Sequence, residues 1–184
     1  MAGNILRMAI PMTIAQMVNV LYSVVDRFFI GHIDGASSMA LTGVGIVFPI
    51  ISVITAFTNL FGMGGAPLCS IARGRQDLDL AGRIQGSSCY MLGLTAVVLT
   101  AIGVLFMRPI LEVFGASPDT YPYARDYFSV YIWGTPFAML GLGMNGFINS
   151  QGFGRVGMVT ITAGAVVNAV LDPVFIFVLH QGVR

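Results

Sequence analysis

Lysine is absent from the 184-residue chain, and charged residues of any kind make up only 9% of it, against about a quarter in a soluble domain. A water-facing enzyme surface cannot be built from so few charges. With 56% hydrophobic residues, the surface this chain presents is mostly lipid. Nine arginines against eight carboxylates leave a net charge of +1, and the arginines are scattered, so no basic face for nucleic acid exists. Cysteine is scarce too. Cys69 and Cys89 fall in or beside apolar segments, with neither CxxC nor His/Cys spacing, and read as packing residues rather than redox or metal groups. The glycines of GVGIVFPI and FGMGGAP follow no strand and lack the lysine of a phosphate loop, so nucleotide binding is not supported. No set of nucleophile, base and orienting residue occurs, and the chain reads as something other than an enzyme.

What is present is long apolar segments. At roughly 20 to 25 residues per crossing, the length holds about five spanning helices. The spans are expected at about 8–31, 41–72, 84–106, 127–149 and 156–180, as an all-α polytopic membrane helix bundle forming one unit over 1–184. The first span lacks a small-residue cleavage site and is followed at once by further apolar sequence, so it reads as permanent. The second, with Pro49 inside and the cluster Phe61–Pro67 near its end, is expected to tilt or break. Arg73, Arg75, Asp77, Asp79 and Arg83 make the most charged stretch, which must lie in water. Between Arg108 and Tyr123, a glycine stop at Gly115 and a helix start at Ser117-Pro118 predict a short interfacial segment. Tyr121, Tyr123 and Tyr127 suit a headgroup layer. Arg7, Arg73, Arg75, Arg83 and Arg155 fall on one side and Arg108, Arg125 and Arg184 on the other, which favours a cytoplasmic N-terminus. An odd number of crossings, with the last one close to Arg184, reads as a truncated chain.

Ionisable groups inside spanning helices are costly unless paired or wetted, so they mark interior pathways. Two carboxylates qualify. Asp26 lies sixteen residues after Ile10 and Asp172 sixteen after Val156, in helices running the same way, so each sits about 24 Å from the same face. Gln16, Asn19, Ser23 and Asp26 gather within an arc of about 80° on the first helix. On the fifth, Thr160, Gly164, Asn168 and Asp172 step by four, which puts Asn168 one turn from Asp172. Ser52, Thr55 and Asn59 add polar positions on the second helix, and together these residues could line a substrate pathway inside a lipid-facing shell. The plainer reading is that the uncharged ones only hydrogen-bond neighbouring helices. It does not extend to Asp26 and Asp172, because adjacent Arg27 points about 100° away from Asp26 and Asp172 has no cation near it in sequence. Carboxylates so placed suit groups that exchange a proton or hold sodium. Pro173, directly after Asp172, removes a backbone donor and is a candidate hinge. Gly62, Gly64, Gly65, Gly141, Gly143 and Gly146 are expected to let helices approach closely.

The segments IPMTIAQMVNVLYSVVDRFFIGHIDG, ALTGVGIVFPI, FGMGGAPLCSIARGRQDL and VVNAVLDPVFIF together resemble multidrug and toxic compound extrusion (MATE) transporters over nearly the whole chain. The first-helix Asp before FFIG and the N-x-x-x-D-P of the fifth helix carry most of that resemblance. It implies twelve helices in two six-helix lobes, a cell-membrane location, and export of organic cations or drugs in exchange for protons or sodium. By the resemblance, Asp26, Asn168 and Asp172 are the cation-coupling residues, with sodium as the only metal they would hold and no other cofactor. The sixth helix and the whole C-terminal lobe of the family pattern are missing, so the chain's partners would be the lipid bilayer, the cargo and that missing lobe. Two other readings stay open: a structural or nonfunctional truncated membrane subunit, and a flippase of lipid-linked cargo from the same superfamily.

Overall fold

A computed structural model describes residues 10, 13, 14, 16–18, 20 and 21, all helical, and residues 38–173; the side chains of 38, 40 and 168–173 fall outside the description. Five helices follow one another: α1 (Ser38–Gly74), α2 (Leu78–Leu105), α3 (Met107–Val113), α4 (Tyr121–Ser150) and α5 (Gly154–Pro173). No strand occurs among the described residues. Leu41–Gly74 and Leu78–Leu105 are long and apolar enough to cross a membrane. The 30 residues of α4 extend about 45 Å, and no charged residue follows Asp126 in it.

Of the tilt or break expected in the second span, a break does not occur. Despite Pro49 and Pro67, α1 is one continuous helix of 37 residues. It is braced on both sides of Pro49: a Cβ on Gly43 would meet the Ala124 backbone nitrogen at 2.9 Å, and one on Gly62 would meet the Gly143 carbonyl oxygen at 2.7 Å. In both contacts the α4 partner lies 81 positions further along the chain, so α1 and α4 run parallel and in constant register for about 28 Å. By contrast α2 is antiparallel to α4. Gly103 faces Ile132 and Gly143 faces Leu92, while Gln85 reaches Gln151.

The charged stretch after α1 is mostly helix as well. Only Arg75, Gln76 and Asp77 separate α1 from α2, because Asp77 accepts the Leu80 amide at 2.9 Å and caps α2. Asp79 then adds negative charge to the first turn of α2, where the helix dipole favours it. Helix ends α1, α3 and α4 share one chemistry. A left-handed residue follows each of them, Gln76 (φ 62°), Gly115 (φ 100°) and Gly152 (φ 86°), and a reverse hydrogen bond from the next amide closes the turn: Asp77 to Ala72, Ala116 to Leu111, Phe153 to Ile148.

The helix start expected at Ser117-Pro118 lies three residues later, at Tyr121. Ser117 and Thr120 cap the turn that leads into it: the Thr120 hydroxyl oxygen accepts the Ser117 amide at 3.0 Å, and the Ser117 hydroxyl accepts the Thr120 amide at 3.3 Å. These reciprocal bonds form a capping box on Ser117, and the Tyr121 amide donates to the Ser117 carbonyl at 2.9 Å, so the chain enters α4 through the start expected at Ser117-Pro118. Around it, Arg108 pairs with Glu112 at 2.8 Å in the short helix α3 and lies 5.9 Å from the Tyr121 ring centre. The carboxylate of Glu112 holds the Arg108 guanidinium above its ordinary pKa, first through their hydrogen bond.

The core forms around α4, which touches α1, α2, α3 and α5. Phe128, Ile132 and Met139 on α4 meet Val47, Ile50 and Ile54 of α1 and Leu92 and Ala96 of α2. A helix covered by protein on several sides need not be uniformly apolar. That accounts for Thr135, Asn145 and the many glycines of α4, while the exposed faces of α1 and α2 are Val, Leu, Ile, Met and Phe.

Candidate functional site

Most hydroxyls inside the bundle turn back on their own helix: Thr58 donates to Ile54 O at 3.0 Å, Thr135 to Tyr131 O at 3.0 Å, and the exposed Ser52 and Thr55 to Phe48 O and Ile51 O at 3.0 and 2.9 Å. Thr100 is different and donates from α2 to Ile132 O on α4 at 3.4 Å. Two carboxamides also reach across to neighbouring helices.

Asn145 is buried. Its Nδ2 donates to the Gly157 carbonyl on α5 at 3.2 Å, and its Oδ1 accepts from Asn149 Nδ2 at 3.1 Å. Asn149 Oδ1 is shielded from solvent and has no hydrogen-bond partner among the described residues. It lies where a Cβ on Gly157 would stand, so glycine at 157 makes room for the carboxamide. Two residues further, at the C-cap of α4, Gln151 Nε2 donates to Gln85 Oε1 on α2 at 3.3 Å. A line of carboxamides thus ties the end of α4 to the start of α5 and to α2. Nothing in the sequence reading singled out this pair, although the i, i+4 spacing of Asn145 and Asn149 in the uncharged stretch after Asp126 was the available signal.

The residues singled out in the sequence are placed unevenly. Asp26, Asn19 and Ser23 lie outside the described residues. Gln16 is helical and exposed, and Asn59 is exposed on α1. Asn168, Asp172 and Pro173 belong to the backbone of α5, their side chains outside the description. The described atoms therefore bring none of these side chains together. They fix the helix that carries three of them: from Gly157, clamped by Asn145, α5 runs uninterrupted through Asn168 to Pro173, with Asp172 about 22 Å along the axis. Thr160, on the same row, bonds its own helix at Val156 O, 2.9 Å away. Gly164, between them, has open space where a side chain would be.

Of the glycines expected to mediate close approach, Gly62, Gly65, Gly143 and Gly146 do so, whereas Gly64 and Gly141 have nothing within 4 Å. Cys69 is buried and lies 3.8 Å from Ala81 O; Cys89 is exposed. No three His, Cys, Asp or Glu residues among those described converge as a metal site.

Comparison with known proteins gives one consistent result. The family model described as MatE matches residues 11–174. The Multidrug export protein MepA of Staphylococcus haemolyticus (strain JCSC1435) is 29% identical over 175 residues, covering 95% of this chain and 38% of that protein. Among solved structures, the MATE transporter ClbM in complex with Rb+ is 34% identical with a TM-score of 0.83, covering 98% of this chain and 40% of that one. A MOP superfamily transporter from Pyrococcus furiosus Vc1, described as having a binding pocket of reversed polarity that suggests a different function, is 26% identical with a TM-score of 0.89 over 98% of this chain and 39% of that one. The chain spans about 38% of the length of the first of these relatives.

Proposed function

The chain belongs to the MatE family, a family of membrane transporters and not of enzymes, and on that premise we propose that it is the cation-coupling part of a secondary active exporter. Together with the further length its relatives have, it would export organic cations or drugs from the cell in exchange for protons or sodium. Asp26 and Asp172 are the coupling groups in this proposal, and Asn168 is the neutral ligand beside Asp172. Binding of the coupling cation and binding of a cationic cargo would favour opposite arrangements of the protein, so that each displaces the other. Gln16, Asn19, Ser23 and Asn59 are proposed to line the pathway, and Pro173 to let α5 bend beside the carboxylate that changes charge.

One observation carries the reading: the family match runs from residue 11 to 174 and so includes both aspartates that the sequence pattern puts in apolar segments, where an unpaired carboxylate would be too costly to keep without a use. Two features support it. A relative is named as a multidrug export protein, and ClbM was solved with Rb+, a monovalent cation. For orientation, the described end bearing Arg73, Arg75, Arg83 and Arg155 against Asp77 and Asp79 has a surplus of two positive charges. The opposite end, with Arg108 and Arg125 against Glu112, Asp119 and Asp126, is negative. The first end, and the N-terminus with it, is proposed to face the cytoplasm.

The test is dye efflux from cells expressing the protein from its full reading frame. Asp26→Asn and Asp172→Asn are each expected to abolish efflux driven by a cation gradient, with membrane insertion unchanged; retained efflux in both would remove the site assignment. The reversed pocket polarity of the Pyrococcus furiosus relative keeps a second reading in view, export of other cargo such as lipid-linked sugars. Under that reading dye accumulation would be unaffected by the protein, and lipid-linked sugar translocation would depend on it.

A further inference from the structure

Between α1 and α2, away from the carboxamide line, runs an open groove of about 370 Å³. Leu60, Phe61 and Leu68 form one wall and Ile84 part of the other, with Ser87 and Arg83 toward its charged end. The groove exists because the helices diverge beside a tight contact: a Cβ on Gly65 would meet the Ser88 hydroxyl oxygen. Its floor is apolar and its flank is exposed, with Leu60 at 61% and Leu68 at 56%. Lipid chains are the solvent such a surface meets.

Arg83 makes the groove more than a greasy seam. It lies in the second turn of α2, at the helix end whose dipole is positive. Asp79 stands one turn before it on α2 and Asp77 is engaged by the Leu80 amide, and Arg83 makes an ion pair with neither of them nor with any other described residue. Arg73, Arg75 and Arg155 are exposed at the same end, which is joined through the Gln85–Gln151 bond. An apolar channel that ends at a free guanidinium within a field of net positive charge is complementary to a molecule with an acyl chain and an anionic head. We infer that this groove binds one anionic phospholipid, its phosphate on Arg83 and one chain along Leu60, Phe61 and Leu68 toward the membrane interior.

The site is independent of the exporter reading and is tested on the purified full chain by native mass spectrometry, with phosphatidylglycerol and phosphatidylcholine of identical chains offered together. The wild type is expected to retain one phosphatidylglycerol in roughly fivefold preference, the scale of one basic residue at a lipid surface. Arg83→Gln, an exposed change, should bring that preference close to one, while Arg75→Gln leaves it in place. Ser87→Trp, which puts an indole into the groove, should lower retention of both lipids. Three results would overturn the inference: unchanged preference in Arg83→Gln, unchanged retention in Ser87→Trp, or displacement of the lipid by glycerol phosphate, which has the head chemistry and no chain.

Discussion

Helix α4 is held to α1 and to α5 by opposite means. Against α1 the contact is backbone on backbone: Gly62 lies so close to Gly143 that a single methyl group on Gly62 would fall 2.8 Å from the Gly143 Cα. Against α5 the contact is a pair of carboxamides, with Asn145 on Gly157 O and Asn149 on Asn145. The first kind of seam has no rotatable part and fixes two parallel helices in one register. The second can exchange donors and acceptors as side chains turn, and it joins the helix that carries Asn168 and Asp172. The two seams differ in residue type: glycine backbone against glycine backbone between α1 and α4, and carboxamides, with Gly157 making room for one of them, between α4 and α5.

Several substitutions would break or sharpen this contrast, and thermal unfolding in detergent reads them. Gly62→Ala is expected to cost most, about 2 to 3 kcal/mol, since the new methyl meets a carbonyl and a Cα that cannot step aside. Asn145→Leu should cost about 1 to 2 kcal/mol by leaving the Gly157 carbonyl and the Asn149 amide without their partner. It should also loosen α5, seen as faster amide exchange at its start with α1 unchanged. Gly143→Ala should cost about 1 kcal/mol or less, because its methyl meets only the flexible end of Leu92. If Gly143→Ala proved as damaging as Gly62→Ala, the seam would depend on general tightness and not on backbone contact. Gln76→Gly should stabilise by about 1 kcal/mol, since Gln76 holds a left-handed conformation (φ 62°) that glycine adopts without strain. Glu112→Gln is expected to leave the midpoint unmoved, because the pair it breaks lies in water.

The helical membrane class was legible because it rests on composition and on runs of apolar residues that no turn interrupts. Helix ends were harder to read. Asp77 and Asp79 looked like a loop because charge was weighed against lipid, whereas their position at the head of α2 makes them a cap and a dipole partner. Ser117-Pro118 has the form of a helix start, and the mutual bonds of Ser117 and Thr120 are its capping box, yet the regular helix is reached only at Tyr121. Pro49 looked like a break, and only the α4 contacts on both sides of it, invisible in a linear reading, explain why α1 continues. Among the polar residues, spacing pointed to Asn59 on α1, which is exposed, and passed over Asn145, which is buried and bonded across helices. Spacing tells which residues share a face; which face meets protein is settled by the neighbours. The two aspartates were singled out by the cost of charge in lipid, an argument that needs no partner helix.

The claim that Asp26 and Asp172 couple cations to export is tested most directly by gradient-driven dye transport in proteoliposomes. These would contain the protein from its full reading frame, with a proton or sodium gradient imposed separately. The wild type should move dye under at least one gradient, and Asp26→Asn and Asp172→Asn should each fall to the rate of empty vesicles while still inserting and unfolding at the wild-type midpoint. Wild-type transport rates in both variants would contradict the account and leave the two carboxylates as structural residues.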